Sequence, residues 1–255
     1  MGRLQGKNIL ITGGSNGIGL ASARAFHNEG ANVAICGLDE QRLKDAATSI
    51  GADTVALQAD VSRISDLDNL FAELLQRGFT QLDAIFVNAG VSQFEPLVSV
   101  TEETFDNMVG VNLKGAFFTV QKALPLLRPG SSVVLDASVV ARKGWPSCTV
   151  VSAMKAGLVS LAKTMSAELL ESKGIRVNSL SPGPTDTAMF GRIPGEETGD
   201  SVKDMHRANN PSRRIATPEE IAHLAVYLVS DESSYVVGAD FAIDGGVGSI
   251  SNIGA

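Results

Sequence analysis

The chain has 255 residues, a length that suits one large α/β domain over residues 1–255, and its 44% hydrophobic and 19% charged residues are ordinary for a folded protein and exclude a disordered one. A formal net charge of −7 argues against a general affinity for nucleic acid or an anionic membrane, which would need a basic face, so neither is an expected partner, though local basic patches stay open. Cys36 and Cys148 have no CxxC or Cys/His spacing, which excludes a disulfide framework and a zinc site from the expectations; two free thiols and no basic-plus-apolar leader point to a cytoplasmic address.

Short apolar runs alternate with longer amphipathic ones along the whole chain. The strand KNILIT (7–12) leads into a helical pattern at 19–30, followed by the strands NVAICG (32–37) and TVALQAD (54–60) and a helix over 64–78. LDAIFVN (82–88) precedes one long helix over 104–127, SVVLDAS (132–138) precedes another over 152–174, and IRVNSLSP (175–182) precedes a helix over 218–230. DFAIDGG (240–246) closes the series. Most of these strands are continuous in Val, Ile, Leu and Ala, as strands covered on both faces are, and the alternation predicts a parallel sheet between two layers of helices. Gly30 and Gly174 stand where helix ends need a residue with positive φ. Residues 189–214, rich in Gly, Pro, Asn and charge, break the pattern and read as an irregular lid that follows a strand end.

ITGGSNGIGLA lies at the first strand-to-helix junction. Gly13, Gly17 and Gly19 permit a tight turn and close backbone approach, so that a pyrophosphate can sit on the amides and positive dipole end of the next helix.

With its Thr-Gly-xxx-Gly-x-Gly spacing, this segment resembles the short-chain dehydrogenase/reductase family, and the resemblance extends over nearly the whole chain. Asn88-Ala89-Gly90 is similar to the family motif after the fourth strand, Asn112, Ser138 and Lys155 to three members of its catalytic tetrad, Pro182-Gly183 with Thr185 and Thr187 to its nicotinamide-side loop, and IDGG at 243–246 to its last strand. The resemblance implies a Rossmann-like, doubly wound sheet of about seven strands and a bound nicotinamide dinucleotide, with Thr12, Ser15, Asn16 and Ile18 of the first turn joining the glycines and Asp60-Val61 flanking the adenine. It also implies a homotetramer or homodimer built on helices around 102–127 and 152–172.

At the end of the second strand, Gly37 stands where NAD-selective members of the family carry an acid and Leu38 where NADP-selective members carry Arg. Asp39 and Arg42 read as helix-start residues. Gly37 leaves room for a 2′-phosphate, so the expectation tilts to NADP(H) over NAD(H).

The fourth tetrad member departs from the family. Val151 follows Ser138 by thirteen positions and precedes Lys155 by four, the interval at which the family places its tyrosine acid. Tyr227 and Tyr235 lie far downstream, and the position seven before Lys155, where enoyl reductase relatives place a tyrosine, is Cys148. A valine neither gives nor takes a proton, and losing a general acid costs about a hundred- to ten-thousand-fold in rate. Three readings follow: a ketone/alcohol oxidoreductase acting slowly through a water held by Ser138 and Lys155, a reductase of an imine or activated alkene, or a silent dinucleotide binder. Val140, Trp145, Cys148, Met189 and Phe190 are the expected lining of a pocket for a small to medium apolar substrate, with no metal.

Overall fold

The computed structural model of the protein describes residues 2–188 and 199–251. Seven strands form one parallel sheet in the order β3-β2-β1-β4-β5-β6-β7: β1 Asn8–Thr12, β2 Asn32–Gly37, β3 Val55–Gln58, β4 Leu82–Val87, β5 Leu127–Asp136, β6 Arg176–Pro182 and β7 Asp240–Ile243. The helices α1 Gly17–Asn28, α2 Glu40–Ile50, α3 Ile64–Gln76, α5 Ala116–Ala123, α6 Thr149–Lys173 and α8 Pro218–Val229 cover its faces, with α4 Glu102–Val109 before α5 and α7 Gly199–Asn209 before α8. This is the doubly wound, Rossmann-like arrangement expected, with the order reversing between β1 and β4.

The continuous apolar strands divide their side chains between two cores. Leu10, Ile85, Val133 and Val177 face Leu67, Leu74 and Leu158 of α3 and α6, whereas Ile9, Ile11, Phe86, Val134 and Leu180 face Phe26, Leu43 and Ile221 of α1, α2 and α8. Neighbouring strand residues belong to opposite layers because side chains alternate across a sheet. Gly30 at φ 90° and Gly174 at φ 66° end α1 and α6 in the left-handed region that only glycine enters freely. Among the described residues no helix is long and apolar enough to cross a membrane.

Two elements differ from the sequence expectation. The long helix expected over 104–127 is interrupted by a π turn at Gly110–Gly115, where Asn112 Nδ2 donates to the carbonyls of Met108 and Val91, both at 2.9 Å. Within the segment expected to be irregular, GDSVKDMHRAN forms α7, with Val202 and Ile215 burying a small apolar contact of their own. Its helical spacing is masked in the sequence by the Gly, Pro and Asn around it.

Phe86 is fully buried on the central strand β4 and packs at 6.4 Å between ring centroids on Phe26. Phe86→Ala is expected to lower stability by about 3–5 kcal/mol, read as a fall in the urea midpoint followed by circular dichroism.

Candidate functional site

The ends of β1 and β4 are tied together at the reversal point, where open parallel sheets leave a crevice for ligands. Thr12 Oγ1 accepts the N–H of Asn88 and of Ala89, each at 3.0 Å, and Asn88 Nδ2 returns bonds to the carbonyls of Thr12 at 3.0 Å and Gly13 at 3.1 Å. Gly13 and Gly19 lie so close to this network that a methyl group on either would collide with it: a Cβ at Gly19 would sit 2.2 Å from the Gly13 carbonyl oxygen, and one at Gly13 would sit 2.9 Å from Asn88 Nδ2. Gly17 turns the chain into α1 at φ 50°.

Among the described residues, the amides of Ser15, Asn16, Gly17, Ile18 and Gly19 have no acceptor, and the first turn of α1 carries no acidic side chain. The helix dipole is uncompensated there, which is the setting an anion requires. Thr187 approaches the turn from the loop after β6, its methyl carbon 3.3 Å from where a Gly17 Cβ would stand. In the same loop Thr185 donates to the Gly183 carbonyl at 3.0 Å, and Gly183 lies against Asp244 with no room for a side chain. A cleft of about 430 Å³ runs from Gly17 past Thr187 to Lys203.

At the end of β2 the chain is neutral and open. A Cβ at Gly37 would meet nothing nearer than Ser15 Oγ at 3.6 Å, and Leu38 is exposed. Asp39 caps α2 by accepting the Arg42 N–H at 2.9 Å and lies 3.3 Å from the Arg42 guanidinium, so both charges serve the helix start. Asp60 Oδ1 accepts from the amide and hydroxyl of Ser62 at 2.9 and 2.7 Å, while Val61 is buried beside it. A second cleft, about 390 Å³, opens between Leu38, Asp60 and Arg63.

The other end of the crevice gathers the remaining candidates. Lys155 is buried on α6, four residues and one turn from Val151, and its Nζ donates to the main-chain oxygen of Asp136 at 2.5 Å. A Cβ at Gly90 would fall 2.8 Å from Asn112 Oδ1 and 3.9 Å from Lys155 Nζ, which puts the loop after β4, the π turn and α6 at one point. Asn112 spends its whole side-chain amide locally, since Oδ1 also accepts the Val91 N–H at 3.1 Å. Ser138 sits just beyond β5, half-buried, in extended backbone.

Val151 is buried in an apolar cluster with Val140, Cys148, Val139 and Met108, against which Trp145 packs. Burial pushes the Cys148 thiol up from its ordinary pKa. Met189 and Phe190 lie outside the described residues. His206 of α7 packs its ring 5.5 Å from that of Trp145, and burial lowers its pKa.

Two of these groups escape the sequence reading. His206 lies in the segment read as irregular, and its contact with Trp145 is invisible before folding. Asp136 has a visible signal, an acid inside the apolar run SVVLDAS. Its Oδ2 lies 3.6 Å from Lys155 Nζ, whereas its Oδ1 is buried with no hydrogen-bond partner. Burial pushes this carboxyl from its ordinary 3.8 up to about 6, against the pull of the Lys155 ammonium. Among the described residues no cluster of His, Cys, Asp and Glu could hold a metal ion.

The family model described as enoyl-(acyl carrier protein) reductase matches residues 13–248. The chain is 38% identical to oxidoreductase asL5 of Sarocladium schorii, over 97% of this chain and 98% of that one. It is 35% identical to dehydrogenase/reductase SDR family member 6 of Xenopus laevis, over 96% and 99%. A solved short-chain dehydrogenase/reductase from Serratia marcescens superposes with a TM-score of 0.88 at 29% identity, covering 97% of this chain and all of the other.

The folded protein holds the Asp136 proton more tightly than the unfolded chain does, so the carboxyl's contribution to stability is complete below its ordinary 3.8 and is lost as pH rises through about 6. Asp136→Asn cannot ionise and leaves the main-chain acceptor of Lys155 in place. Its melting temperature relative to that of the natural chain is expected to climb between about pH 4 and pH 7 and then level off, as followed by calorimetry across that range.

Proposed function

The chain belongs to the short-chain dehydrogenase/reductase family, and from that premise we propose that it is a nicotinamide-dependent oxidoreductase interconverting a small to medium apolar ketone and its alcohol, with its rate limited by Val151 at the position of the family's acid. The observation that carries the reading is the row of five amides, Ser15 to Gly19, without acceptors at the start of α1. Their N–H groups, the uncompensated dipole and the close-packed glycines fit a pyrophosphate, and the open strand end at Gly37 and Leu38 fits the ribose beyond it.

When bound, the dinucleotide supplies or accepts the hydride. The chain's own residues do the rest. The amides of 15–19 and Thr187 hold the diphosphate, and Asn88, Ala89 and Gly90 form the wall beside it. Lys155 brings a positive charge to the far end, and the Ser138 hydroxyl donates to the carbonyl oxygen and fixes its direction. Val140, Trp145, Cys148 and Val151 keep water from the reacting carbon. Gly37 and a neutral Leu38 admit a 2′-phosphate, while Asp39, engaged as a helix cap, does not oppose it; this favours NADP(H) over NAD(H). Exposed Phe105, Phe117 and Leu170 on α4, α5 and α6 suit a homotetramer or homodimer assembled on those helices, in a cytoplasmic protein.

A second reading, reduction of an activated alkene or imine, draws support from the description of the matching family model and from the apolar slot at Val151, which suits a substrate needing no carbonyl protonation. Fluorescence titration with NADPH and NADH, followed by the loss of nicotinamide absorbance with ethyl acetoacetate, a cyclic imine and cyclohexenone, separates these readings. NADPH is expected to bind more tightly than NADH, and Gly19→Val, whose side chain has no space beside Gly13, to lose binding of both. Val151→Tyr is expected to raise ketone turnover about tenfold or more. Imine turnover that falls in the same variant would favour the second reading, and tight binding without turnover of any probe would identify a silent binder.

A further inference from the structure

Hydride arriving at a carbonyl carbon leaves negative charge on the oxygen, and some group must give it a proton. The described residues near Lys155 offer few. Val151 has none to give, burial in the apolar cluster makes the Cys148 thiol a weaker acid than an ordinary one, and burial disfavours the cationic His206 that could donate. Ser138 Oγ has only a 3.4 Å contact with the Val140 amide and is an alcohol of ordinary acidity.

Asp136 is different in kind. It ends β5 at the edge where the crevice opens, paired in register with Leu180 of β6. Ser138 is two residues on, and its φ of −173° and ψ of 157° continue the extended chain. Side chains at alternate positions of an extended chain emerge on one face, so the carboxyl and the serine hydroxyl lie on the same side, roughly 6.6 Å apart along the chain. The carboxyl is anchored on one oxygen only: Oδ2 faces Lys155 Nζ at 3.6 Å, and Oδ1 is buried without a partner. A buried carboxylate oxygen lacking a donor is costly, and a proton on it removes the cost while creating a donor.

Lys155 is the charged group that faces this carboxyl. Arg142 and Lys143, beyond Ser138, bond to Asp240 and to the Val247 carbonyl. Arg176 on β6 and Asp83 on β4 sit at the opposite ends of their strands, Lys122 on α5 pairs with Asp68, and Glu220 on α8 pairs with Arg214. Glu219 lines the cleft at Gly17.

Resting on the ketone/alcohol reading above, we propose that Asp136 is the acid of this site: its carboxyl holds a proton while Oδ1 is buried and gives it to the substrate oxygen by turning that oxygen out to the crevice, with Lys155 stabilising the carboxylate left behind. In the reductive direction the carbonyl carbon gains hydride, the O–H bond at Asp136 breaks, and an O–H bond forms on the product alcohol. The Asp136 carboxylate then takes a proton from solvent, so that each turnover consumes one hydride and one solvent proton. In the oxidative direction the carboxylate accepts the alcohol proton. A carboxyl whose pKa lies at about 6 is close enough to neutral pH to do both.

The test compares the natural chain with Asp136→Asn, Val151→Tyr and the double variant. Infrared difference spectra across a pH titration are expected to show, in the natural chain, a carboxylic-acid band with a midpoint at about 6 that is missing from Asp136→Asn. Asp136→Asn is expected to bind NADPH as the natural chain does and to lose about a hundredfold or more in reduction of ethyl acetoacetate. Adding Val151→Tyr to it should restore turnover by supplying a phenol in the register of Lys155, with a larger gain than the same substitution gives in the natural chain, where an acid is already present; equal gains in the two backgrounds would overturn the acid role. Unchanged turnover in Asp136→Asn with NADPH still bound, or a natural chain with no protonated buried carboxyl above the ordinary carboxylate range, would overturn the acid role alone and leave a water on Ser138 as the donor. Failure of the natural chain to bind either dinucleotide would instead overturn the functional reading beneath it.

Discussion

Four hydrogen bonds between Thr12-Gly13 and Asn88-Ala89 hold the crevice in shape. Between β1 and β4 the sheet reverses its order, so the connections on either side leave in opposite directions and open a crevice beyond the paired strand ends Thr12 and Val87. Thr12 has a hydroxyl and Asn88 an amide, and each satisfies the other's backbone. The exchange engages the Thr12 hydroxyl oxygen twice and the Asn88 amide nitrogen twice, and it sets the height of Gly13 beneath the start of α1. That a Cβ at Gly19 would come within 2.2 Å of the Gly13 oxygen follows from this: the helix begins so low on the sheet that no side chain fits between them.

The free amides follow from the same constraint. A helix begun this close to a strand has no length of chain with which to cap itself, and Asn16, at the N-cap position, makes no side-chain bond to the first turn. By contrast, α2 and α8 are capped by Asp39 and by a full capping box of Thr217 and Glu220. The start of α1, at the mouth of the crevice, is left without a side-chain cap and without an acid in its first turn. A first turn with an acid, as in α4 with Glu102 and Glu103, would neutralise the field there.

Much of the fold was legible because the information was local. Strand runs such as NILIT and VNSLS are apolar or small on both faces, and the glycines at 13, 17 and 19 sit at a strand-to-helix junction, so periodicity and turn chemistry agree. The cap at Asp39 was readable for the same reason. Harder to read was anything set by contact across the fold. The π turn depends on Asn112 reaching back to the loop after β4, and the placement of α7 depends on Lys203 meeting Asp186 at 2.7 Å and His206 meeting Trp145. The role suggested for Asp136 needed both kinds of information: the acid is plain in SVVLDAS, but the direction it faces, the missing donor on Oδ1 and the distance to Lys155 exist only once β5 and α6 are packed.

The energetics of that one carboxyl bear on what the site can do. With its pKa raised from 3.8 to about 6, the carboxyl is ionised at neutral pH at the expense of the fold's stability, because the unfolded chain holds the same charge in water. A leucine or isoleucine at this strand position would remove the penalty and continue the apolar run on either side. Packing therefore supplies no reason for an acid here, and neither does a salt bridge, since the Lys155 ammonium is already satisfied in part by the main-chain oxygen of residue 136 whatever side chain that residue bears. What an acid alone provides is an exchangeable proton next to a fixed positive charge. That is the property Val151 lacks, one helical turn from the same lysine, and it is the property that the acid role proposed for Asp136 draws from the strand beneath the apolar slot.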